Sequence, residues 1–106
     1  MKRGEVRWYR FKPPDKRRPV LILTRDSAIA VLSSVTVAPI TRTVRGIPTE
    51  VLLSEADGLP EPCAANLDNV QTVPQENIGA LIAQLKPARM AEAAAALVFA
   101  LDLDGP

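Results

Sequence analysis

The sequence predicts a small, mainly β domain, built as an antiparallel barrel and followed by one C-terminal helix. Short apolar runs recur at near-regular intervals between prolines and glycines, which is typical of small antiparallel barrels. Near the C-terminus this pattern changes to helical spacing. The length of 106 residues suits one domain with its own core. We therefore expect a single domain over residues 1–106, with the barrel over residues 3–85 and the helix over residues 87–101.

The first half of the chain contains four predicted strands. Alternating or continuous apolar patterns place them at Glu5–Phe11, Pro19–Thr24, Ser34–Ile40 and Thr49–Leu53. In the first strand, Val6 and Trp8 share the face that is expected to be buried. The segment Arg25–Leu32 is a connection with room for a helical turn, and Arg45-Gly46 is a turn. Pro39 marks the end of a ladder or a bulge, because proline cannot donate to a central sheet.

The second half contains three shorter strands and the helix. The strands are predicted at Cys63–Asn66, Asn69–Val73 and Ala80–Leu85, with a turn over Pro74–Asn77. Pro87 suits the first position of a helix, and the segment after it is rich in alanine. Four residues at helical spacing are expected to pack on the barrel: Met90, Ala94, Leu97 and Leu101.

The charges are distributed unevenly along the chain, although the net charge is only +1. Residues 1–50 carry eleven Lys and Arg against four Asp and Glu, a net charge of +7. Residues 51–106 carry two against eight, a net charge of −6. If the basic half folds onto one face, that face is a site for a polyanion. The alternative, that the two signs interleave on the folded surface, is equally consistent with these counts.

The residue types exclude several familiar kinds of active site. The chain has no histidine and one cysteine, Cys63, which excludes histidine-based triads and zinc sites, thiolate zinc clusters and an internal disulfide. No glycine-rich phosphate loop precedes the helix. Chemistry must then rest on Arg, Ser, Thr and carboxylates, which suits phosphoryl transfer but equally a binding protein. Neither a leader nor a run of membrane-spanning length is evident, so we expect a cytoplasmic protein without membrane contact.

One arginine stands at the start of a buried strand. In the run DKRRPVLILTRD, Arg18 precedes Pro19, and the proline restricts the residue before it to extended backbone. The apolar strand from Val20 onward is expected to fix that backbone. A fixed cation can hold a phosphate group in position, whereas the common alternative is a solvated or ion-paired surface arginine.

Four blocks of sequence, taken in order, resemble the MazF/PemK-like toxins of bacterial type II toxin–antitoxin systems. The blocks are RGEVRWYRF, RRPVLIL, TVAPITRTVRGIPTEVLL and DGLPEPCAANLDNVQTV, and the resemblance covers residues 3–101. It implies an SH3-like barrel, a homodimer, and a cognate MazE-like antitoxin with a disordered, acidic and apolar tail. It also implies a sequence-specific endoribonuclease that cleaves single-stranded mRNA, tRNA or rRNA without metal or cofactor, and so inhibits translation and growth.

The resemblance also assigns site residues. It places the catalytic arginine, which immediately precedes the proline of the RPV block, on Arg18, and the catalytic threonine, which follows VAPI, on Thr41. In the mechanism it implies, an RNA 2′-hydroxyl attacks the adjacent phosphate and leaves a 2′,3′-cyclic phosphate and a 5′-hydroxyl. Arg18 would neutralise the transition state, and Thr41 would position a phosphate oxygen or the nucleophile. Substrate contacts are implied for Asp68 and Asn69, with turn chemistry as the alternative. Candidate phosphate contacts, with a solvated surface role as the alternative, are Arg17, Arg42 and Arg45.

Some residues admit a second interpretation or depart from the family pattern. Without the resemblance, Thr41 is a strand-end hydroxyl that caps its own turn. The segment Lys12–Arg17 is shorter, richer in proline and more basic than in many relatives, which suggests a different RNA preference. Gln71 stands where an arginine is common, and Cys63 stands where a serine is common.

Two other functions remain open on the same barrel. Gyrase poisons share the fold and act through C-terminal aromatic residues, but here the helix ends LVFALDLDGP, with Phe99 and no terminal tryptophan. A catalytically silent RNA-binding barrel would keep the basic residues and not cleave. Incubation with single-stranded RNA in EDTA, followed by inspection of the product ends, separates the three.

Overall fold

The computed structural model describes residues 1–13 and 16–105. Pro14 and Asp15, in the basic segment singled out above, and Pro106 lie outside the described residues. The strands are β1 (Glu5–Arg10), β2 (Arg17–Ile22), β3 (Ser34–Thr41), β4 (Glu50–Leu53), β5 (Cys63–Asn66), β6 (Gln71–Pro74) and β7 (Ile78–Gln84). The helices are α1 (Asp26–Ile29) and α2 (Pro87–Leu101), and one-turn 3₁₀ helices lie at Glu55–Asp57, Leu67–Asn69 and Gln75–Asn77.

The strands form one antiparallel sheet in the order β4-β5-β3-β2-β1-β7, and β6 pairs with the first half of β3. The sheet curls into a barrel-like fold that is not closed, because β4 and β7 at its two ends are not paired with each other within the described residues. α2 shares a core cluster with these two strands, through Met90, Leu53 and Ala83. The expected class, a mainly β barrel with a C-terminal helix, is confirmed.

β2 lies in the middle of the sheet and is buried on both of its faces. Leu21 belongs to the core cluster that contains Val6, whereas Val20 and Ile22 belong to a second cluster that contains Tyr9. These three β2 residues are all 0% exposed. Burial on both faces explains why this strand is continuously apolar in sequence.

The first strand departs from the expected burial at one residue. Val6 is fully buried as expected, but Trp8 is only half-buried. Tyr9, on the other face, is buried instead, because the second core cluster covers that face. β1 also shifts register against β7 on both sides of Arg7, which interrupts the strict alternation. Trp8 therefore borders an open groove and does not enter the core.

Pro39 lies inside β3, and it interrupts pairing on only one edge of that strand. Toward β2 it pairs in register with Val20. On the other edge β5 pairs with the end of β3 and β6 with its beginning, and the register shifts by three residues between them. The 3₁₀ turn Leu67–Asn69 accounts for this shift and replaces the expected start of a strand at Asn69. Since proline has no N–H to donate, the turn lies where the ladder cannot continue.

α2 begins at Pro87 as expected, and Met90 and Leu97 of the expected stripe pack on the core, but the packed face is shifted from the expected one. Its buried residues are Met90, Ala93 and Ala96. Two residues of the expected stripe, Ala94 and Leu101, are exposed, so that part of the prediction is wrong. Alanines on most sides of the helix give little contrast between its faces, and spacing alone did not identify the packed one. No helix within residues 1–13 and 16–105 is long and apolar enough to cross a bilayer.

Candidate functional site

The ends of β2 and β3 bring Arg18 and Thr41 to the same place. The two strands pair in a register that sets Val20 opposite Pro39, and the same register continued by two residues sets Arg18 opposite Thr41. Opposed residues of an antiparallel pair project to the same face of the sheet. Pro19 has no N–H to donate, so the ladder stops at Val20 and the strand ends beyond it border an open groove.

This first groove has a volume of about 620 Å³ and a cationic lining. Within the part of the chain that the structure describes, the charged residues that line it are Lys16, Arg17, Arg18, Arg42 and Glu61. Thr41 lies on the same lining. Four cations against one carboxylate make the groove a site for an anion, and its open shape suits a polymer.

Thr41 makes the local bond expected of a strand-end hydroxyl. Its Oγ1 accepts a hydrogen bond from the backbone N–H of Thr43 at 3.0 Å. A hydroxyl can accept one bond and still donate its own proton elsewhere. Capping its own turn therefore leaves Thr41 able to donate to a phosphate oxygen in the groove.

A second groove, of about 410 Å³, meets the first at Arg18. Asp68, Asn69 and Gln71 line one side of it, and Phe11 and Pro39 contribute the apolar part of its lining. Arg18 lines both grooves, is exposed, and makes no ion pair with any described residue. The expected catalytic arginine thus lies between the expected catalytic threonine and the expected substrate contacts.

Buried residues hold the 3₁₀ turn that carries Asp68 in place. Leu67 is 0% exposed and anchors the turn in the core. Thr49, itself 5% exposed, donates from its hydroxyl to Asp68 Oδ2 at 2.6 Å and accepts from the Leu67 N–H through its carbonyl at 2.8 Å. Asn66 Oδ1 accepts from the Asp68 N–H at 2.9 Å. The bond from Thr49 therefore fixes the Asp68 carboxylate through Oδ2, and among the described residues no donor bonds to Oδ1.

The three candidate phosphate contacts occupy different positions. The guanidinium carbon of Arg17 lies 4.4 Å from the centre of the Trp8 ring, in cation–π geometry. Arg42 forms an exposed ion pair with Glu61 at 3.4 Å, of a kind that contributes little to stability. Arg45 lines neither groove; its backbone N–H donates to Glu50 Oε1 at 2.9 Å. The structure brings two of the three to the first groove.

The basic half of the chain is only partly gathered on one face. Arg3 donates from Nε to the carbonyl of Leu23 at 3.1 Å, away from the grooves. Arg7 pairs with the buried Glu5 at 2.9 Å. Burial alone would raise the pKa of Glu5, but the hydrogen bonds from Arg7 and from the Lys2 N–H outweigh it and leave that pKa below its usual value. These cations serve the fold, and the groove cations are a subset of the sequence total.

Cys63 lines the first groove but is not a reactive thiol. It is 5% exposed, and burial, followed by the carboxylates of Glu61 and Asp57, raises the pKa of its thiol. A thiol with a raised pKa stays protonated at neutral pH and is a poor nucleophile. Residues 1–13 and 16–105 contain no cluster of three or more His, Cys, Asp or Glu that could hold a metal ion.

Sequence reasoning missed four residues of this region, one of which is Lys16 on the first groove. The sequence pattern predicted Trp8 in the core. Arginines lie across the β1–β2 hairpin from it, and this arrangement is equally compatible with an exposed ring. Thr49 was placed at the start of a strand, and nothing in the sequence links it to Asp68 nineteen positions later. Glu61 lies in a loop rich in proline, whose path past the first groove depends on tertiary structure.

Comparisons with known proteins identify relatives of this chain. Residues 2–101 match the family model described as PemK-like, MazF-like toxin of type II toxin-antitoxin system. Endoribonuclease MazF3 of Mycobacterium tuberculosis is 47% identical over 90 residues, which cover 85% of this chain and 87% of the relative. The solved structure of the Mycobacterium tuberculosis toxin MazF-mt6 is similar with a TM-score of 0.85 and 41% identity, over 92% of this chain and 96% of that chain. A mycobacterial endoribonuclease in complex with its cognate antitoxin is similar with a TM-score of 0.88 and 28% identity, over 100% and 99% of the two chains.

Proposed function

The chain belongs to the PemK-like, MazF-like toxins of type II toxin–antitoxin systems, and we propose that it is an endoribonuclease that cleaves single-stranded RNA without a metal ion and so inhibits translation. The relatives named as endoribonucleases support the activity. The observation on this chain that carries the proposal is the register that sets Arg18 opposite Thr41 at a cationic groove.

The proposed reaction is an internal transesterification of RNA. The 2′-oxygen of one nucleotide forms a bond to the adjacent phosphorus, and the bond from phosphorus to the 5′-oxygen of the next nucleotide breaks. The products are a 2′,3′-cyclic phosphate and a 5′-hydroxyl. Arg18 neutralises the charge that grows on the phosphate oxygens, and Thr41 donates its hydroxyl proton to one of them. The 2′-hydroxyl proton passes to a base, for which the groove offers the carboxylate of Glu61, and the leaving 5′-oxygen takes up a proton from water to become the 5′-hydroxyl.

The second groove is proposed to read a base next to the cleaved phosphate. Asp68 accepts hydrogen bonds through the oxygen that Thr49 does not use, which favours a base with an exocyclic amino group. The Asn69 side chain offers both a donor and an acceptor. Because Arg18 belongs to both grooves, a phosphate held by Arg18 places its neighbouring nucleotide within reach of these two residues.

The remaining cations of the site are proposed to hold the RNA backbone. Arg17 and Arg42 line the first groove together with Lys16, which the sequence analysis did not single out. Arg45 would contact RNA only outside the two grooves, since it lines neither.

Two protein partners complete the proposal. A cognate MazE-like antitoxin with an acidic and apolar tail would bind across the cationic groove, and a similar mycobacterial endoribonuclease has been solved with its cognate antitoxin. We also propose a homodimer, supported by large apolar side chains that stay exposed in the single chain, Leu52, Phe99, Leu101 and Leu103. A monomer in light scattering at micromolar concentration would contradict the dimer.

The direct test offers three nucleic acids to the purified protein in EDTA: a single-stranded RNA, the same RNA annealed to its complement, and DNA of the same sequence. We expect cleavage of the single strand at few positions, with duplex RNA and DNA intact. Cleavage that appears only when magnesium replaces EDTA would contradict metal independence. Binding without cleavage in either buffer would favour the silent RNA-binding barrel, and inhibition of DNA supercoiling would favour the gyrase poison.

A further inference from the structure

Trp8 is an aromatic side chain that neither core cluster contains. It is the single tryptophan of the chain. Tyr9 is buried in the second core cluster, and Phe11 packs against it with ring centroids 4.8 Å apart and planes at 82°. Trp8 stays half-buried on the other face of β1, directly opposite Pro19 of β2. A large ring left outside the core at this position offers aromatic surface to a ligand.

The position of Trp8 relates it to the phosphate site. It lines the first groove together with Arg18 and Thr41, and it also lines a smaller groove of about 210 Å³ on its other side. That third groove contains Arg10, Arg17 and Asn77. Trp8 therefore forms the boundary between the first and third grooves. It lies on the side of Arg18 away from the second groove. An RNA strand that leaves the first groove in this direction passes over the indole ring.

The contact with Arg17 orders the indole ring of Trp8. The Arg17 guanidinium lies 4.4 Å from the ring centre, and the strand pairing sets Arg17 diagonally across from Trp8, two pairs beyond Pro19 and on the same face of the sheet. Guanidinium planes and indole rings both stack on nucleobases, and every base offers a π-face. A stacked Arg17 also keeps positive charge beside the ring, where a backbone phosphate would follow the base.

We propose that Trp8 and Arg17 form a stacking platform for one unpaired nucleobase, namely the base next to the cleaved phosphate on the side away from Asp68 and Asn69. The inference rests on the proposed endoribonuclease function and extends it. The platform binds by stacking, so it accepts any base at that position, whereas the second groove discriminates among bases.

The experiment uses an RNA that the wild-type protein cleaves, made uncleavable by a 2′-deoxy nucleotide at the cleaved position. A series of these RNAs each lacks one base, and binding is followed through the fluorescence of Trp8, which is the sole tryptophan. We expect the intact RNA to quench this fluorescence, and the loss of one base beside the cleaved phosphate to remove the quenching. The same loss should weaken binding by roughly 5- to 150-fold, the usual range for one stacked base. Exchanging that base for another should change the affinity little.

Variants of Trp8 and Arg17 test whether the change in RNA binding depends on the indole ring of Trp8. The Trp8 variants contain no tryptophan, so their binding, and that of the wild type beside them, is followed by the anisotropy of the same RNAs carrying a fluorescent end label. Trp8→Leu should weaken binding of the intact RNA by a similar factor, and its affinity should not depend on the missing base. Trp8→Phe should keep part of the affinity and part of the dependence on the missing base. Arg17→Ala should weaken binding more than Arg25→Ala, an exposed arginine that lines none of the three grooves. Val31→Ala, which shortens an exposed apolar side chain that lines none of the three grooves, should bind like the wild type.

Two results would overturn the platform. One is quenching that no missing base affects; the other is a Trp8→Leu variant that still responds to the missing base as the wild type does. Because the missing-base series needs only the wild-type protein, poor folding of a variant cannot obscure the outcome. If the wild type cleaves RNA and the platform test fails, the proposed function stands without the platform. If the wild type neither binds nor cleaves RNA, both fail.

Discussion

Arg18 combines an exposed side chain with a fixed backbone. Pro19 keeps the residue before it extended, and Val20, at 0% exposure, anchors the strand in the core. No described carboxylate pairs with the guanidinium, so its hydrogen bonds are available to a ligand. A donor held in this way needs little reorganisation when charge develops in the transition state.

Replacement of Arg18 should remove cleavage and leave the fold intact. We expect Arg18→Ala to lower the rate by about 10²–10³-fold, the usual cost of one preorganised transition-state donor. Arg18→Lys should restore only part of it, since an ammonium group lacks the planar fork. The melting temperature should stay close to that of the wild type because the side chain is exposed. Arg25→Ala serves as the control, and cleavage by Arg18→Ala at the control rate would reject the assignment.

Thr49 orients the Asp68 carboxylate through a hydrogen bond, and this role can be tested separately from the contribution of Thr49 to protein stability. Thr49→Val keeps the shape of the side chain and removes the donor to Asp68 Oδ2. We expect a loss of about 1–2 kcal/mol in the free energy of unfolding, because a charge-assisted hydrogen bond disappears. We also expect weaker discrimination among bases at the position that Asp68 reads, measured by sequencing products from a randomised RNA pool. Thr49→Ser should restore both properties; a Thr49→Val variant with unchanged base preference would limit Thr49 to a structural role.

The residues of the site differ in how far sequence could identify them. The proline after Arg18 and the resemblance of the four ordered blocks to the toxin family predicted Arg18, Thr41, Asp68 and Asn69 as site residues, and the structure places all four on two adjoining grooves. Thr49 and Trp8 act through contacts across the sheet, which no local pattern reveals. Arg45 carried the same sequence signal as Arg42, yet only Arg42 lines the first groove.

α2 is attached to the barrel by a partly exposed ion pair as well as by its apolar face. Arg89 Nε donates to Asp57 Oδ1 at 2.9 Å, and the Asp57 side chain is 10% exposed. Asp57 Oδ2 also accepts from the Ser54 N–H at 3.0 Å and completes a capping box for the 3₁₀ turn. The hydrogen bond from Arg89 lowers the pKa of Asp57 below its usual value of 3.8, against the opposing effect of burial.

The lowered pKa of Asp57 predicts a contribution to stability that is lost in acid. The folded protein holds this carboxylate ionised at a lower pH than the unfolded chain does, so the contribution is complete above the unfolded pKa and disappears as the pH falls through the folded pKa. We expect Asp57→Asn to lower the unfolding free energy at neutral pH and to reduce its decline between about pH 5 and pH 3, followed by urea denaturation. Glu55→Gln, a change at an exposed carboxylate in the same turn, should leave that decline as in the wild type. Identical pH profiles for wild type and Asp57→Asn would contradict this role.

The elements were easiest to predict where burial imposes a strict period. β3 and β4 lie within one residue of their expected bounds because their largely alternating burial reflects one packed face, and the short apolar run of β5, buried at Cys63–Ala65, also matches its expected bounds. The expected strand from Asn69 failed because the Asx turn at Asn66 and the break at Pro39 replace its first residues with a 3₁₀ turn. The packed face of α2 was misjudged because alanine is compatible with both environments.

Taken over the whole molecule, part of the basic half of the chain converges on one groove, and this predicts a salt dependence. Each RNA phosphate contact that is lost should reduce the slope of log affinity against log salt by about 0.7 for a single strand. The double variant Lys16→Gln, Arg42→Gln should therefore lower that slope by about 1.4 in titrations with uncleavable RNA. The matched control is Arg25→Gln, Lys86→Gln, which removes the same charge from exposed positions outside the grooves. Equal slopes for the two double variants would place RNA binding elsewhere.

The same double variants locate the antitoxin. If the acidic tail occupies the first groove, Lys16→Gln, Arg42→Gln should weaken antitoxin and RNA binding together, and both should fall with rising salt. An antitoxin affinity that is unchanged while RNA binding falls would show that inhibition acts from another surface, such as the exposed apolar residues of α2.

In the proposed mechanism, Arg18 and Thr41 direct the RNA's own 2′-hydroxyl against the adjacent phosphate. Mapping the ends of the products formed in EDTA tests this, with one RNA compared with the same RNA carrying a single 2′-deoxy nucleotide at the cleaved position. We expect a 2′,3′-cyclic phosphate on one fragment and a 5′-hydroxyl on the other, with no cleavage at the deoxy position and loss of cleavage in Arg18→Ala. Products with a 5′-phosphate, or undiminished cleavage at the deoxy position, would contradict this mechanism.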